Sequence, residues 1–467
     1  MDRSNPPPPR QALTQDAIAI WQAGVEAVRA DSVVDQQTHW DGRWLTVADH
    51  VFDLKEADRL IIVGAGKATA GMLSGLLAAL LKSKKRLPKI TGWINVPQGS
   101  PTPHGPLEKR VTVCQARPQG CNEPTEKVVD GTRQILNFVR HAGSNDFVVA
   151  LISGGGSALL CSPVDGLTLE DKIGITRALS AAGANIEELN SVRRCLSNVK
   201  GGGLARACNA RKLISCIISD VLGDPLEVIA SGPTILNPTP DPSEAIDVMN
   251  QLLPNQFQSI RNLLNQHLLA NSLARKETNR PPTELVPIVL ANNATAVDAA
   301  GQKAVALGYR YWMKSERHSE GDAIQLGQRF AEQMKSTLDQ AQIDCIISGG
   351  EPTVILPPTT IRGLGGRNQQ LALAFLDWFE KNGGWPTKAE LAFVSGGTDG
   401  EDGPTDAAGA YVDKNVFAQM LSQQLHPEDY LKRCDAYRFF EQTHGLFKTG
   451  PTGTNVCDLR VGLVRKA

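Results

Sequence analysis

The chain reads as an α/β protein of two domains built on mainly parallel sheets. Three observations predict this. Short apolar runs alternate with helix-length amphipathic stretches along most of the sequence. Three of those runs end in a Ser-Gly-Gly turn: FVVALISGGGSALL at 147–160, IDCIISGGEPT at 343–353 and LAFVSGGTDG at 391–400. At 467 residues, the chain exceeds the usual span of a single core. Strand-to-turn junctions of this kind collect at the carboxyl edges of open sheets, where such folds bind ligands.

The elements follow in order. Ile18, Trp21, Val25 and Val28 share one face of an opening helix over Ala17–Val28. RLIIV at 59–63 is a strand, and Gly64-Ala65-Gly66-Lys67 turns it into a helix running to about Leu81. Ile90–Val96 and Arg110–Cys114 read as strands, and Pro124–His141 as a helix. Thr168 with Asp171, and Asn185 with Glu188, have the spacing of helix-starting capping boxes. Lys212–Ser219 is a strand that ends at Asp220. A polar stretch at 276–282 marks a boundary, which gives domains at 11–255 and 285–467. Beyond it, strands at 309–313, 344–348 and 391–395 alternate with helices at 294–307, 322–341 and 368–381, and a closing strand spans 456–464.

A net charge of −1 gives no electrostatic case for nucleic acid or an anionic membrane. Nine scattered cysteines with no CxxC pair fit a reduced, cytoplasmic protein. MDRSNPPPPR lacks the apolar core of a secretory signal and reads as a mobile tail. The longest apolar run, near Met72–Leu81, is too short to span a bilayer.

Two cations stand at helix starts. Lys67 follows a buried strand and Gly66, where an ammonium joined to free N–H groups suits phosphate. The surrounding residues fit neither a Walker A loop, because Ile61 stands where its first glycine belongs, nor a dinucleotide fingerprint. That fingerprint wants Gly or Ala where Thr69 sits, and an acid where Lys84, Lys85 and Arg86 stand. The bland alternative is a tight turn with a solvated lysine. Arg367 follows Gly365 and Gly366 and precedes Asn368 in GLGGRNQ. Its charge opposes the helix dipole there unless an anion or a carboxylate compensates.

The turn Ser153-Gly154-Gly155-Gly156-Ser157 offers bare amides and two hydroxyls to an anion. It lacks the pattern of a nucleophile elbow. Asp399, Glu401, Asp402 and Asp406 crowd one loop, and hard oxygen ligands near a phosphate site suggest Mg²⁺. Asp220 and Glu351 each lie at a strand's carboxyl end and are single candidates for a metal ligand or a base. The histidines are isolated, which argues against zinc.

Taken together, these stretches resemble the class II glycerate kinases, the glycerate 2-kinase family with a C-terminal MOFRL domain. The matching stretches are VGAGKAT at 63–69, ISGGGSALL at 152–160, SNVKGGGLA at 197–205, SDVLGDPLEVIASGPT at 219–234, ISGGEPTV at 347–354, GGRNQQLAL at 365–373, SGGTDGEDGPTDAAGA at 395–410 and GPTGTNVCDLRVGLV at 450–464. Gly203 stands where the family usually has arginine, and Cys457 where Asn or Met is usual.

The resemblance implies a larger Rossmann-like, three-layer N-terminal domain, a smaller α/β domain, and an active site in the cleft. It implies ATP-dependent phosphorylation of D-glycerate to 2-phosphoglycerate. Lys67 and Arg367 would be the family's key cations, with Mg²⁺ accompanying ATP. Asp220, at the end of its strand, is our own choice from the residues to orient the attacking hydroxyl. Gly66, the 153–157 turn, Arg193, Lys200, Gly365, Gly366 and Asn368 would bind substrate or nucleotide, and Glu351, Asp399 and Asp402 the metal. A homo-oligomer is allowed but not specified. The family has also carried a hydroxypyruvate reductase label, which the failed dinucleotide fingerprint opposes.

Overall fold

The computed structural model describes residues 12–118, 121, 123–236, 240–273, 282–340 and 342–466. The proline-rich start and most of the 276–282 stretch lie outside the described residues. The chain divides into two compact units, residues 30–290 and residues 1–29 with 291–467. No helix among the described residues is long and apolar enough to cross a membrane.

The 30–290 unit opens with a small antiparallel sheet of β1 (Thr38–Trp40), β2 (Trp44–Val47) and β3 (His50–Asp53). Its main sheet contains β4 (Arg59–Ala65), β5 (Lys89–Pro97), β6 (Val111–Arg117), β7 (Phe147–Ser153), β8 (Lys212–Ile218) and β9 (Glu284–Ala291). The order is β6-β5-β4-β7-β8-β9, and every pair from β6 to β8 is parallel. β7 is buried at all seven positions, as expected of a parallel strand covered on both faces. Both capping boxes form, Thr168 with Asp171 before the helix Leu169–Ala181 and Asn185 with Glu188 before the helix Ile186–Cys195.

Two placements differ from the expected domain limits. β9 belongs to the first sheet, where Thr283 Oγ1 donates to the carbonyls of Cys208 and Ala210 and Glu284 pairs with Lys212. The opening helix, observed as Leu13–Ala27, belongs to the second unit. Its Trp21 Nε1 donates to the carbonyls of Gly396 and Leu459, and its ring meets Phe447 edge-on.

The second unit holds β10 (Tyr311–Ser315), β11 (Cys345–Gly350), β12 (Ala389–Gly397), β13 (Gly409–Val412), β14 (Leu446–Phe447) and β15 (Asp458–Lys466). The expectation of a mainly parallel sheet fails here. The order is β10-β11-β15-β12-β13-β14, and only β10 and β11 pair in parallel. β15 returns antiparallel into the middle of the sheet. Its alternate residues serve two cores: Leu459, Val461 and Leu463 face the opening helix, while Asp458, Arg460 and Gly462 face the other side.

Candidate active site

In the 30–290 unit, the carboxyl ends of β4 and β7 are stitched together. Lys67 N donates to Gly154 O at 2.8 Å, and Ala68 N donates to Ser153 Oγ at 3.1 Å. Ser153 is fully buried, so its hydroxyl holds the Lys67 turn and does not face a ligand. Glycine is required at two points. Gly155 adopts a φ of +73°, with a β-carbon there falling 3.2 Å from the Lys67 side chain. At Gly66 a β-carbon would sit 2.1 Å from Ser153 Oγ. The Lys67 side chain therefore crosses a glycine floor. Asp220 lies just past β8, partly exposed.

Ser157 begins a second arrangement. Lys200 Nζ donates to Ser157 O at 2.8 Å, to Ser157 Oγ at 2.6 Å and to Ser231 Oγ at 3.2 Å. Arg193 Nη2 reaches Ser157 Oγ at 2.7 Å, and the Ser157 and Ser231 hydroxyls are 3.0 Å apart. Ser231 and its neighbour Ala230 both have left-handed backbones, at φ +66° and +51°. Such non-glycine residues cost on the order of 1–3 kcal/mol each and concentrate at functional sites. Gly201 and Gly202 hold them by donating to Ser231 O and Gly232 O.

Gly203 also has a local reason, since a β-carbon there would meet Asn198 O at 2.4 Å. Three residues on, Arg206 reaches back to Gly201 O and supplies a cation to the same turn.

Lys172 is a third cation of this group. It is buried and donates to Leu196 O at 3.1 Å. Among the described residues, no carboxylate lies in ion-pair range of Lys172, Arg193 or Lys200. Burial, compounded by the neighbouring cations, pushes the Lys200 ammonium well below its ordinary value. Burial first and Arg193 second bring Lys172 down to about 8.

The sign of the resulting pH effect follows directly. The unfolded chain holds this proton to about 10.4, the folded chain only to about 8, so stability rises with pH across that window. Lys172→Met is expected to gain roughly 0.5–2 kcal/mol at neutral pH and to lose that slope. Thermal melts at pH 7 and pH 9 check both; a destabilised Met variant would count against a charge held at a loss.

In the second unit, Arg367 starts the helix Arg367–Lys381 and finds the compensation its position demands. Its Nε donates to Asp458 Oδ2 at 2.7 Å, Nη2 to Asp458 Oδ1 at 3.0 Å, and Nη1 to Glu351 Oε1 at 2.6 Å. Burial opposes its charge, but Asp458 and Glu351 outweigh it and hold the guanidinium above its ordinary value. Beneath it, Arg460 forms a bidentate pair with Glu320 at 2.9 and 2.6 Å, both buried, pressed against Gly350.

Asp402 serves the helix start rather than a metal. It is buried and accepts from Asn368 N at 3.0 Å and Gln369 N at 2.8 Å. Burial pushes its carboxyl up to about 7, against the pull of those amides and of Arg367. Gly366 leaves room for it, since a β-carbon there would lie 2.3 Å from the Asp402 carboxyl carbon. Asn368 is also interior, accepting from Ser395 Oγ at 2.7 Å. Gly365 lies against the backbone of Ala436 and Tyr437. Asp399 accepts from Glu401 N at 3.1 Å.

Glu351, Asp399 and Asp402 are thus not gathered into a ligand set, and no group of three or more metal-type side chains occurs among the described residues. Sequence reading missed Asp458, Lys172 and Ser231. Asp458 carried a signal, because two charges two residues apart in an otherwise apolar strand must both point into one interior. Lys172 carried none, since it reads as any lysine in an amphipathic helix.

Comparison with known proteins agrees with this architecture. Residues 16–265 match a family model described as a domain of unknown function, DUF4147, and residues 344–458 match the MOFRL family. The glycerate kinase of Homo sapiens is 32% identical, across 97% of this chain and 94% of its own. A putative hydroxypyruvate reductase of Agrobacterium vitis is 35% identical, across 87% of this chain and 99% of its own. The crystal structure of glycerate kinase from Thermotoga maritima superposes with a TM-score of 0.77 at 31% identity, covering 97% and 99% of the two chains. This chain belongs to the glycerate kinase family that carries a C-terminal MOFRL domain.

Proposed function

We propose that the protein transfers the γ-phosphoryl group of ATP to the 2-hydroxyl of D-glycerate, giving 2-phosphoglycerate and ADP. The observation that carries this reading is Lys67, laid across the glycine floor at the joined ends of β4 and β7. The names of the relatives support it. Lys67 supplies positive charge to the group being transferred, and Arg367 is the second cation this reading assigns to it. The glycerate oxygen attacks phosphorus, its proton passes to the Asp220 carboxylate, and the bond to the ADP oxygen breaks. Nine free cysteines suit the cytoplasm as the place of action.

The residues expected to ligate magnesium do not fit a cage of protein ligands. Asp402 is committed to amides, and Glu351 to Arg367. Magnesium therefore enters this reading only as part of the ATP substrate, and this chain's own residues bind and orient.

The name of the Agrobacterium vitis relative favours a second reading, reduction of hydroxypyruvate by a reduced nicotinamide. Against it, Thr69 occupies the fingerprint's third glycine position and is itself buried against Leu151 O. Purified protein given ATP, Mg²⁺ and D-glycerate is expected to release ADP in step with 2-phosphoglycerate. With hydroxypyruvate, the absorbance of the reduced nicotinamide should stay constant. A falling nicotinamide signal with no ADP would reverse the assignment, and 3-phosphoglycerate as product would refute the position of transfer.

A further inference from the structure

Beneath Ser157 lies a cavity of about 90 Å³, lined by Ser157, Cys161, Lys172, Ile173, Arg193 and Lys200. Counting its donors shows what it lacks. An ammonium has three N–H donors and a guanidinium five, and neither can accept. Lys200 spends all three on Ser157 and Ser231. Lys172 spends one, on Leu196 O. Arg193 spends two, on Ser157 Oγ and on Asn190 Oδ1 at 3.4 Å.

Two donors of Lys172 and three of Arg193 therefore stand beside a small space with no carboxylate in ion-pair range. At the rim, Glu123 is already held by Arg177 through bonds of 2.7 and 2.5 Å. A buried ammonium beside a half-buried guanidinium, without a counter-charge, is costly, so the space is made for an anion.

We infer that this cavity seats the carboxylate of the three-carbon hydroxy acid, with Arg193 and Lys172 as its direct contacts and Lys200 and Ser231 as positioning residues. The inference deepens the kinase reading and rests on it for the identity of the acid. A planar guanidinium fork matches a carboxylate in two places at once. A space of about 90 Å³ holds several water-sized groups and so admits a carboxylate with its adjoining carbon. Lys200 takes no ligand contact. It fixes the Ser157 backbone and both hydroxyls, which the strained Ala230–Ser231 turn brings to it.

The test is equilibrium binding by the full-length chain, with D-glycerate alone, ATP alone and inorganic phosphate alone. Arg193→Ala is expected to weaken D-glycerate binding about 10²-fold, the effect of truncating one partner of a buried charged pair. Arg193→Lys should restore part of it, and ATP binding should stay within about twofold. Lys172→Met, which should fold at least as well as the parent, must also weaken D-glycerate and spare ATP. It carries the test if Arg193→Ala fails to fold.

Loss of ATP or inorganic phosphate binding with D-glycerate binding retained would overturn the inference. So would variants that leave D-glycerate binding unchanged. The two readings fail separately. Wild-type protein that binds D-glycerate through Arg193 but consumes no ATP would remove the kinase assignment and leave the carboxylate seat standing.

Discussion

Lys67→Ala is expected to fold as the parent does and to lose about 10²–10³ in kcat with ATP and D-glycerate. The backbone bonds that hold its turn come from Lys67 N and Ala68 N, which the substitution keeps. What it removes is the ammonium and the stem that lies against Gly155. Arg367→Ala should lose at least as much turnover, but it also strands Asp458, whose side chain is only 1% exposed. Part of its effect will therefore be structural. Arg367→Lys separates the two contributions, because it keeps the charge and loses the two-pronged grip on Asp458. Steady-state kinetics with urea melts on the same samples decides the matter. Near-normal kcat in Lys67→Ala and Arg367→Ala alike would exclude these cations from the chemistry.

The largest expected loss of stability lies elsewhere, at Arg460. Arg460→Met should destabilise the second unit by about 3–5 kcal/mol, since it leaves Glu320 buried and ionised beside Gly350. Replacing both, as Arg460→Met with Glu320→Leu, should recover most of that loss. A buried pair contributes little net stability but is costly to break in half. A drop in the urea midpoint for the single variant, reversed in the double, is the expected pattern. Equal losses in both would mean that the pair fixes the shape of β11 beyond its charge balance.

Much of this molecule was legible in advance. β7 announces itself as six apolar residues running into a Ser-Gly-Gly turn, and both capping boxes stand where Thr168 and Asn185 place them. Those signals are local, because periodicity and capping act within a few residues. The conflict at Arg367 was legible too: a cation at a helix start needs an answering charge. Its chief answer, Asp458, sits 91 residues away and could not be picked from the acidic loop at 398–406. That loop contributed Asp402 instead, as a remote cap for the same helix. The Lys172 cluster was invisible for a similar reason. Its members come from two helices and two turns, and only folding brings them around Ser157. The antiparallel entry of β15 also left no trace, since an apolar strand reads the same in either direction.

That last strand has a consequence for how the protein is made. During synthesis, residues 30–290 can complete their sheet with every strand already in hand. The second unit cannot. β11 and β12 have no shared edge until β15 arrives between them, and the helix Leu13–Ala27 must wait for Leu459 and its neighbours to form its floor. The earliest helix of the chain is thus among the last to find its seat, and a ribosome stalled before residue 458 would hold one finished body and two separated half-sheets.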